Sequence, residues 1–166
     1  VNDERVPSVR IVSVETAGDL ERARALFLEY ASALGFDLDF QGFDEEVAGL
    51  PGAYAPPRGR LLLAVVGGEA AGCVALREID DGISEMKRLY VRQSFRGRGI
   101  GRALARRIIE EARSVGYRKM RLDAIDSMRE AVGLYRSLGF EQIAPYRFNP
   151  IEGALFLEIS LAEERP

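Results

Sequence analysis

The residues best suited to chemistry lie in the stretch 85–102, E-M-K-R-L-Y-V-R-Q-S-F-R-G-R-G-I-G-R. Leu89, Tyr90 and Val91 form a short apolar run with the character of a strand. Gly97, Gly99 and Gly101 then alternate with Arg96, Arg98, Ile100 and Arg102 in a loop, and an amphipathic segment follows. Strand, glycine loop and helix in that order suit an anion. The first turn of a helix leaves about four backbone N–H groups unpaired, and the macrodipole places roughly half a positive charge there. Glycine permits positive φ and lets a bulky anion approach without meeting a Cβ. The three arginines add charge, so this stretch is suited to a phosphate-bearing ligand. The competing reading is an ordinary turn before an ordinary helix.

Histidine is absent and Cys73 is the only cysteine. That excludes a Ser-His-Asp triad, a Cys-His pair, an internal disulfide and a His- or Cys-rich zinc site, and no metal is expected. Any acid or base must be Glu, Asp, Tyr, Lys or a terminus. Cys73 sits in the apolar run 72–76 and reads as a buried packing residue. The net charge of −3 conceals an uneven distribution. Residues 87–107 hold eight basic side chains and no acid, whereas 37–46 hold Asp37, Asp39, Asp44, Glu45 and Glu46 and no base. The chain is acidic overall, and nucleic-acid binding usually needs a domain with pI above about 9, so a small phosphorylated cofactor fits better.

At 166 residues, with 47% hydrophobic and 30% charged residues, the chain reads as one soluble globular domain spanning 1–166. No apolar run approaches the roughly 20 residues that span a bilayer. The sequence shows no basic-then-apolar leader, and a cytoplasmic protein is the expectation.

The elements that must position the stretch follow from periodicity. Residues 10–15 alternate as a half-buried strand. Thr16, with Asp19 three residues on, resembles a capping box, and Leu20, Ala23, Phe27, Tyr30, Ala31 and Leu34 recur at helical spacing up to Gly35. Between 36 and 60 the pattern weakens: 43–50 reads as a short helix and prolines mark a loop. This aromatic and acidic segment is either a binding element or a surface loop whose Phe36, Phe40, Phe43 and Tyr54 plug the core. Residues 60–66, 70–79 and 83–91 read as three successive antiparallel strands, joined at Gly67-Gly68 and Asp81-Gly82. A helix over 100–115 ends at Gly116. A strand over 119–125 follows, parallel to 83–91 because a helix separates them. Ser127 with Glu130 reads as a second capping box, opening a helix that stops at Gly139, and 140–144 and 154–161 complete the strands. The order is β-α-(α)-β-β-β-α-β-α-β-β, an α/β chain of α+β type with a mixed sheet.

R-G-R-G-I-G at 96–101 resembles the acyl-CoA-binding signature R/Q-x-x-G-x-G/A of the GNAT superfamily of N-acetyltransferases. G-L-Y-R-S-L-G-F at 133–140 resembles that family's second signature, a tyrosine-bearing helix running into Leu-Gly-Phe. The correspondence extends from about residue 10 to 161. It implies a mostly antiparallel sheet of about seven strands flanked by about four helices, with acetyl-CoA as cosubstrate. The resemblance further implies that backbone groups of Leu89 and Val91, flanking Tyr90, pair with the pantetheine arm. Amides from Arg96 through Gly97, Arg98, Gly99, Ile100 and Gly101 to Arg102 would hold the pyrophosphate. Glu85 matches a glutamate general base of several members, and Tyr135 matches the tyrosine that protonates the leaving thiolate. Met128 departs from the family's frequent asparagine, so contact there is apolar or passes to Ser127.

An alkyl amine with pKa near 10.4 lies about 3.4 units, roughly 4.6 kcal/mol, from its nucleophilic form at pH 7. A carboxylate near Leu89 is the natural acceptor of that proton. Glu85 shares a strand face with Leu89 by parity but stands about 13–14 Å away, so it would act through water or on an amine between them. Its alternative role is an exposed strand charge paired with Lys87 or Arg77. Tyr135 is either the acid or a core residue, since it shares a stripe with Ala131 and Leu138. The backbone N–H of Leu89 is the candidate oxyanion donor if the strand is bulged there.

The expectation is direct acetyl transfer to a primary amine, on a small molecule or a peptide. The rival is a non-catalytic acyl-CoA-binding module of the same fold. A P-loop lacks its Gly-Lys-Ser/Thr ending here, and a Rossmann fingerprint lacks its last glycine. The acidic segment 37–46 hints at a cationic acceptor, and 146–150 could line the same pocket. A homodimer stays open.

Overall fold

The computed structural model describes residues 7–162. The elements run β1 (Val9–Ser13), α1 (Ala17–Leu34), α2 (Phe43–Ala48), β2 (Arg60–Val66), β3 (Glu69–Asp80), β4 (Ile83–Val91), α3 (Ile100–Val115), β5 (Lys119–Ile125), α4 (Arg129–Ser137), β6 (Glu141–Ile143) and β7 (Ala154–Ser160). The strands form a single sheet in the order β1-β2-β3-β4-β5-β7-β6. Every pairing is antiparallel except β4 with β5. That exception follows from connectivity: two-residue turns join β2 to β3 and β3 to β4, whereas a parallel neighbour needs a long crossover, which α3 supplies. The mostly antiparallel sheet of seven strands with four helices is the fold expected.

Two apolar layers hold it together. β2 is apolar on both faces because both are covered. Leu62, Ala64 and Val66 pack in one layer with Leu104 and Ile108 of α3, and Leu61, Leu63 and Val65 pack in the other with Ala23, Leu26 and Phe27 of α1. Fully burying each such leucine or phenylalanine contributes about 1.5–3 kcal/mol. The helix ends follow local chemistry. Thr16 Oγ1 accepts the Asp19 N–H at 3.1 Å, and Gly35 closes α1 at φ 75°. Cys73 is wholly buried, as its apolar surroundings imply, and burial raises its thiol pKa.

Two expectations need correction. The Ser127–Glu130 capping box does not form: α4 begins at Arg129 with Met128 at its N-cap and no side-chain capping bond. The strand expected at 140–144 shortens to Glu141–Ile143 at the sheet edge, because β7 rather than β6 takes the place beside β5. The parallel pairing of β4 with β5 forms as expected, covering Ile83, Ser84 and Glu85 opposite Lys119, Met120 and Arg121. Beyond that point the two strands diverge, and the gap between them is the central feature of the molecule.

Candidate active site

The site begins with a bulge in β4. Ala75 stands opposite Lys87 and Cys73 opposite Tyr90, so Arg88 and Leu89 together face Val74. Arg88 takes φ 60°, a left-handed conformation costly for a residue with a Cβ. Tertiary contacts hold it. Its guanidinium donates to Glu46 Oε2 at 2.8 Å and Oε1 at 3.0 Å, and lies over the rings of Phe43 and Tyr30. The Arg88 carbonyl accepts the Cys73 thiol at 3.3 Å. Burial alone would raise the Glu46 pKa, but the two bonds from Arg88 outweigh it and hold the carboxyl below its usual range.

The bulge reverses the parity of the strand. Met86, Leu89 and Val91 all pack in the layer beneath α3 and α4, while Tyr90 packs in the layer of α1. Glu85 and Leu89 therefore do not share a face, contrary to the alternation of an unbulged strand.

A cleft of about 330 Å³ fills the gap between β4 and β5. Lys87, Leu89 and Val91 line it from β4, and Leu122, Asp123 and Ile125 from β5. The Arg92 N–H donates to Ala71 of β3 at 2.9 Å, so by strand alternation the N–H groups of Leu89 and Val91 point away from β3, toward the cleft. Arg96, Gly97, Gly99, Ile100 and Gly101 line one end, and Met128 and Tyr135 line the side toward α4. The first helical bond of α3 runs from the Ala103 N–H to the Gly99 carbonyl, leaving the N–H groups of 100–102 ahead of it. Gly97 and Gly99 take φ 79° and 75°, and a Cβ at either would meet nothing. Conformation and an open cradle, not tight packing, demand glycine there.

Four of the residues expected to bind cofactor stand outside this lining. Tyr90 turns to the opposite face, where its ring packs edge-on against Tyr30 and its hydroxyl donates to Glu29. Arg98 is exposed over the Phe95 ring, Arg102 donates to Ser137 Oγ at 3.0 Å, and Ser127 is exposed. Tyr135 is buried on the cleft wall, edge-on to Phe140 at 5.9 Å, and burial raises its phenol pKa above the ordinary value.

Glu85 is 0% exposed and does not line the cleft. One oxygen accepts from Arg77 Nε at 3.0 Å, the other accepts from the Tyr146 hydroxyl at 2.7 Å, and Arg147 pairs with the second oxygen as well. The pairing with Arg77 fits a structural charge, but that charge is buried rather than exposed.

Several residues of the site carried no signal in the sequence. Lys87 is 6% exposed, lines the cleft, and donates from Nζ to Gln41 Oε1 at 3.0 Å, with Glu85 Oε1 at 3.8 Å. Burial, then the charge of Arg88, pushes its pKa down to about 7. Asn149 also lines the cleft and donates to Asp123 at 3.0 Å. From the acidic segment only Leu38, Phe40 and Gln41 reach the lining, and Glu46 is spent on Arg88. Among the described residues no group of three or more His, Cys, Asp or Glu could hold a metal ion.

Comparison with known proteins gives a consistent result. The model of the acetyltransferase (GNAT) family matches residues 20–140. An uncharacterized N-acetyltransferase of Schizosaccharomyces pombe is 38% identical over 158 residues, covering 94% of this chain and 97% of the relative. A GNAT-family acetyltransferase structure from Staphylococcus aureus superposes with a TM-score of 0.77 at 20% identity, covering 93% of this chain and all of that one. A Salmonella typhimurium acetyltransferase, solved with its cofactor acetyl-CoA, superposes with a TM-score of 0.67 at 22% identity, covering 95% of this chain and 96% of that one.

Proposed function

We propose that this chain, which belongs to the acetyltransferase (GNAT) family, moves an acetyl group from acetyl-CoA directly to a primary amine. The observation that carries the reading is the cleft between β4 and β5, with an anion cradle at one end and Leu89, Lys87 and Tyr135 along its walls. No helix among the described residues is long and apolar enough to cross a membrane, and we propose a cytoplasmic setting.

The donor set suits acetyl-CoA. Arg96, Gly97, Gly99, Ile100 and Gly101 would hold the pyrophosphate, with Arg98 and Arg102 adding charge from the exposed rim. The backbone of Leu89 and Val91 would take the pantetheine amides as an added strand, with Tyr90 turned away between them. Met128 offers apolar contact, and Ser127 supplies charge-free exposed surface only. Bound acetyl-CoA supplies the acetyl group as a thioester.

The remaining chemistry falls to the chain. The Leu89 N–H, turned outward by the bulge, would donate to the oxygen on which negative charge develops. Tyr135 would protonate the departing thiolate; its raised pKa keeps it a proton carrier at neutral pH. We assign the first acceptance of the amine proton to Lys87, whose pKa of about 7 leaves much of it neutral. Glu85, whose oxygens are already engaged, stands behind Lys87 and stabilises the ammonium that forms.

The test is release of CoA thiol from acetyl-CoA across a broad panel of primary amines. Turnover with at least one class is the expected result. Binding of acetyl-CoA with no thiol release for any amine would favour a non-catalytic acyl-CoA-binding module instead.

A further inference from the structure

We propose that the acceptor amine is a small amino acid whose carboxylate docks on Arg77 and Arg147 beside Glu85. This rests on the acetyl-transfer reading for the identity of the second substrate. A second cavity, of about 570 Å³, shares Phe40 and Gln41 with the cofactor cleft and is lined by Arg77, Arg121, Tyr146 and Arg147. Lys87 bonds to Gln41 at that shared wall.

The ion pairs around Glu85 are not one to one. Its one carboxylate is the ionic partner of Arg77, Lys87 and Arg147 together, and among the described residues none of the three has another. Arg88 is neutralised by Glu46, and Arg121 by Glu158. With Lys87 neutral, these ion pairs leave one positive charge in excess on the part-buried Arg77 and Arg147, while the Asp123 carboxylate acts on Lys87 from the cleft side. Burial, then the charge of Arg77, lowers the Arg147 pKa to about 10. Of the acids on the same cavity wall, Glu78 is paired with Arg58, and Asp80 accepts the Asp81 N–H and keeps its charge.

Arg77 also has donors to spare. It spends Nε on Glu85, and its terminal nitrogens bond to no protein acceptor among the described residues. A guanidinium edge left free in this way is the geometry that takes a carboxylate bidentately. Lys87 and Glu85 are two strand residues apart, roughly 7 Å. An ammonium at Lys87 and a carboxylate at the guanidiniums therefore suit a compact amino acid better than an extended cation.

The experiment compares thiol release with free L-amino acids, their C-terminal amides and the matching decarboxylated amines. For the preferred amino acid, kcat/KM should exceed that of its amide by about tenfold or more. Arg147→Gln should bring that ratio toward one, and Arg147→Lys should restore part of it. Calorimetric binding of N-acetyl amino acids against N-acetyl amino acid amides, in the presence of CoA, gives a readout independent of turnover. Equal turnover of acids and amides overturns the proposal while acetyl transfer stands. No turnover but preferential binding of the acids leaves the carboxylate site at Arg77 and Arg147 standing and overturns both the acceptor role and the acetyl-transfer reading. Absence of both overturns the two together.

Discussion

Lys87 owes its proposed role to where its ammonium is buried. An exposed lysine is protonated at pH 7 and can accept nothing, whereas burial and the neighbouring guanidinium of Arg88 bring this one to about 7. Two consequences separate it from the acceptor amine. In kinetics, kcat/KM should rise with pH through about 7, a limb that Lys87→Met removes; its persistence in that variant would assign the limb to another group. In stability, the native pKa lies below the unfolded value of about 10.4, so between these values the unfolded chain binds more protons. Stability from this group is lost as pH falls through 7 and fully present above about 10.4, and urea midpoints of Lys87→Met should lose that slope. Tyr135 makes a complementary prediction. Removing its hydroxyl in Tyr135→Phe should lower kcat by about 10²-fold or more, with the Kd for CoA unchanged by calorimetry. An unaltered kcat would leave Tyr135 a core residue.

Between residue and molecule, two elements do the positioning, and each depends on positive φ. Ahead of α3 the requirement is met by glycine. Gly99→Ala would force a Cβ into a left-handed conformation at a cost of about 1–2 kcal/mol and set a methyl over the open cradle. Thermal denaturation should register the first effect, and a raised Kd for CoA the second; an unchanged Kd would put the phosphates elsewhere. In β4 the requirement falls on Arg88, and its ion pair with Glu46 and its contacts with Phe43 and Tyr30 offset the strain. The short α2 thus has a definite task, since it carries Phe43 and Glu46, which with Tyr30 of α1 keep the bulge in place.

Across the whole molecule, the divergence of β4 from β5 would let one sheet serve the two ligands proposed. The cofactor cleft opens between the strands toward α3 and α4, and the arginine-lined cavity meets it at Phe40 and Gln41. Because the cleft walls come from β4, β5, α3 and α4, a ligand bridging them links parts of the chain that otherwise separate on unfolding. CoA at about 100 times its Kd should stabilise the fold by about 2.7 kcal/mol. For a chain of this size that raises Tm by about 5–10 °C, measurable by scanning calorimetry; no shift would mean that CoA binds the unfolded chain equally or does not bind.

The amino-acid sequence alone determined most of what rests on short-range physics. Strand alternation, the helical stripes, the caps at Thr16 and Gly35, the turns at Gly67-Gly68 and Asp81-Gly82, and the glycine loop ahead of α3 are all contests between near neighbours. Absence of histidine left the acid-base work to few residue types. Tertiary structure alone decided the rest. Nothing local marks Arg88 for positive φ, because the partner that holds it there, Glu46, is 42 residues away. That bulge then overturned the parity from which Glu85 and Leu89 had been put on one face. The cluster around Glu85 is equally non-local, since Tyr146 reaches it from 61 residues on and Arg147 arrives with it. The Ser127 capping box failed for the same reason in reverse: a good local signal yielded where the chain turns from β5 into α4 and Met128 takes the N-cap at the cleft wall.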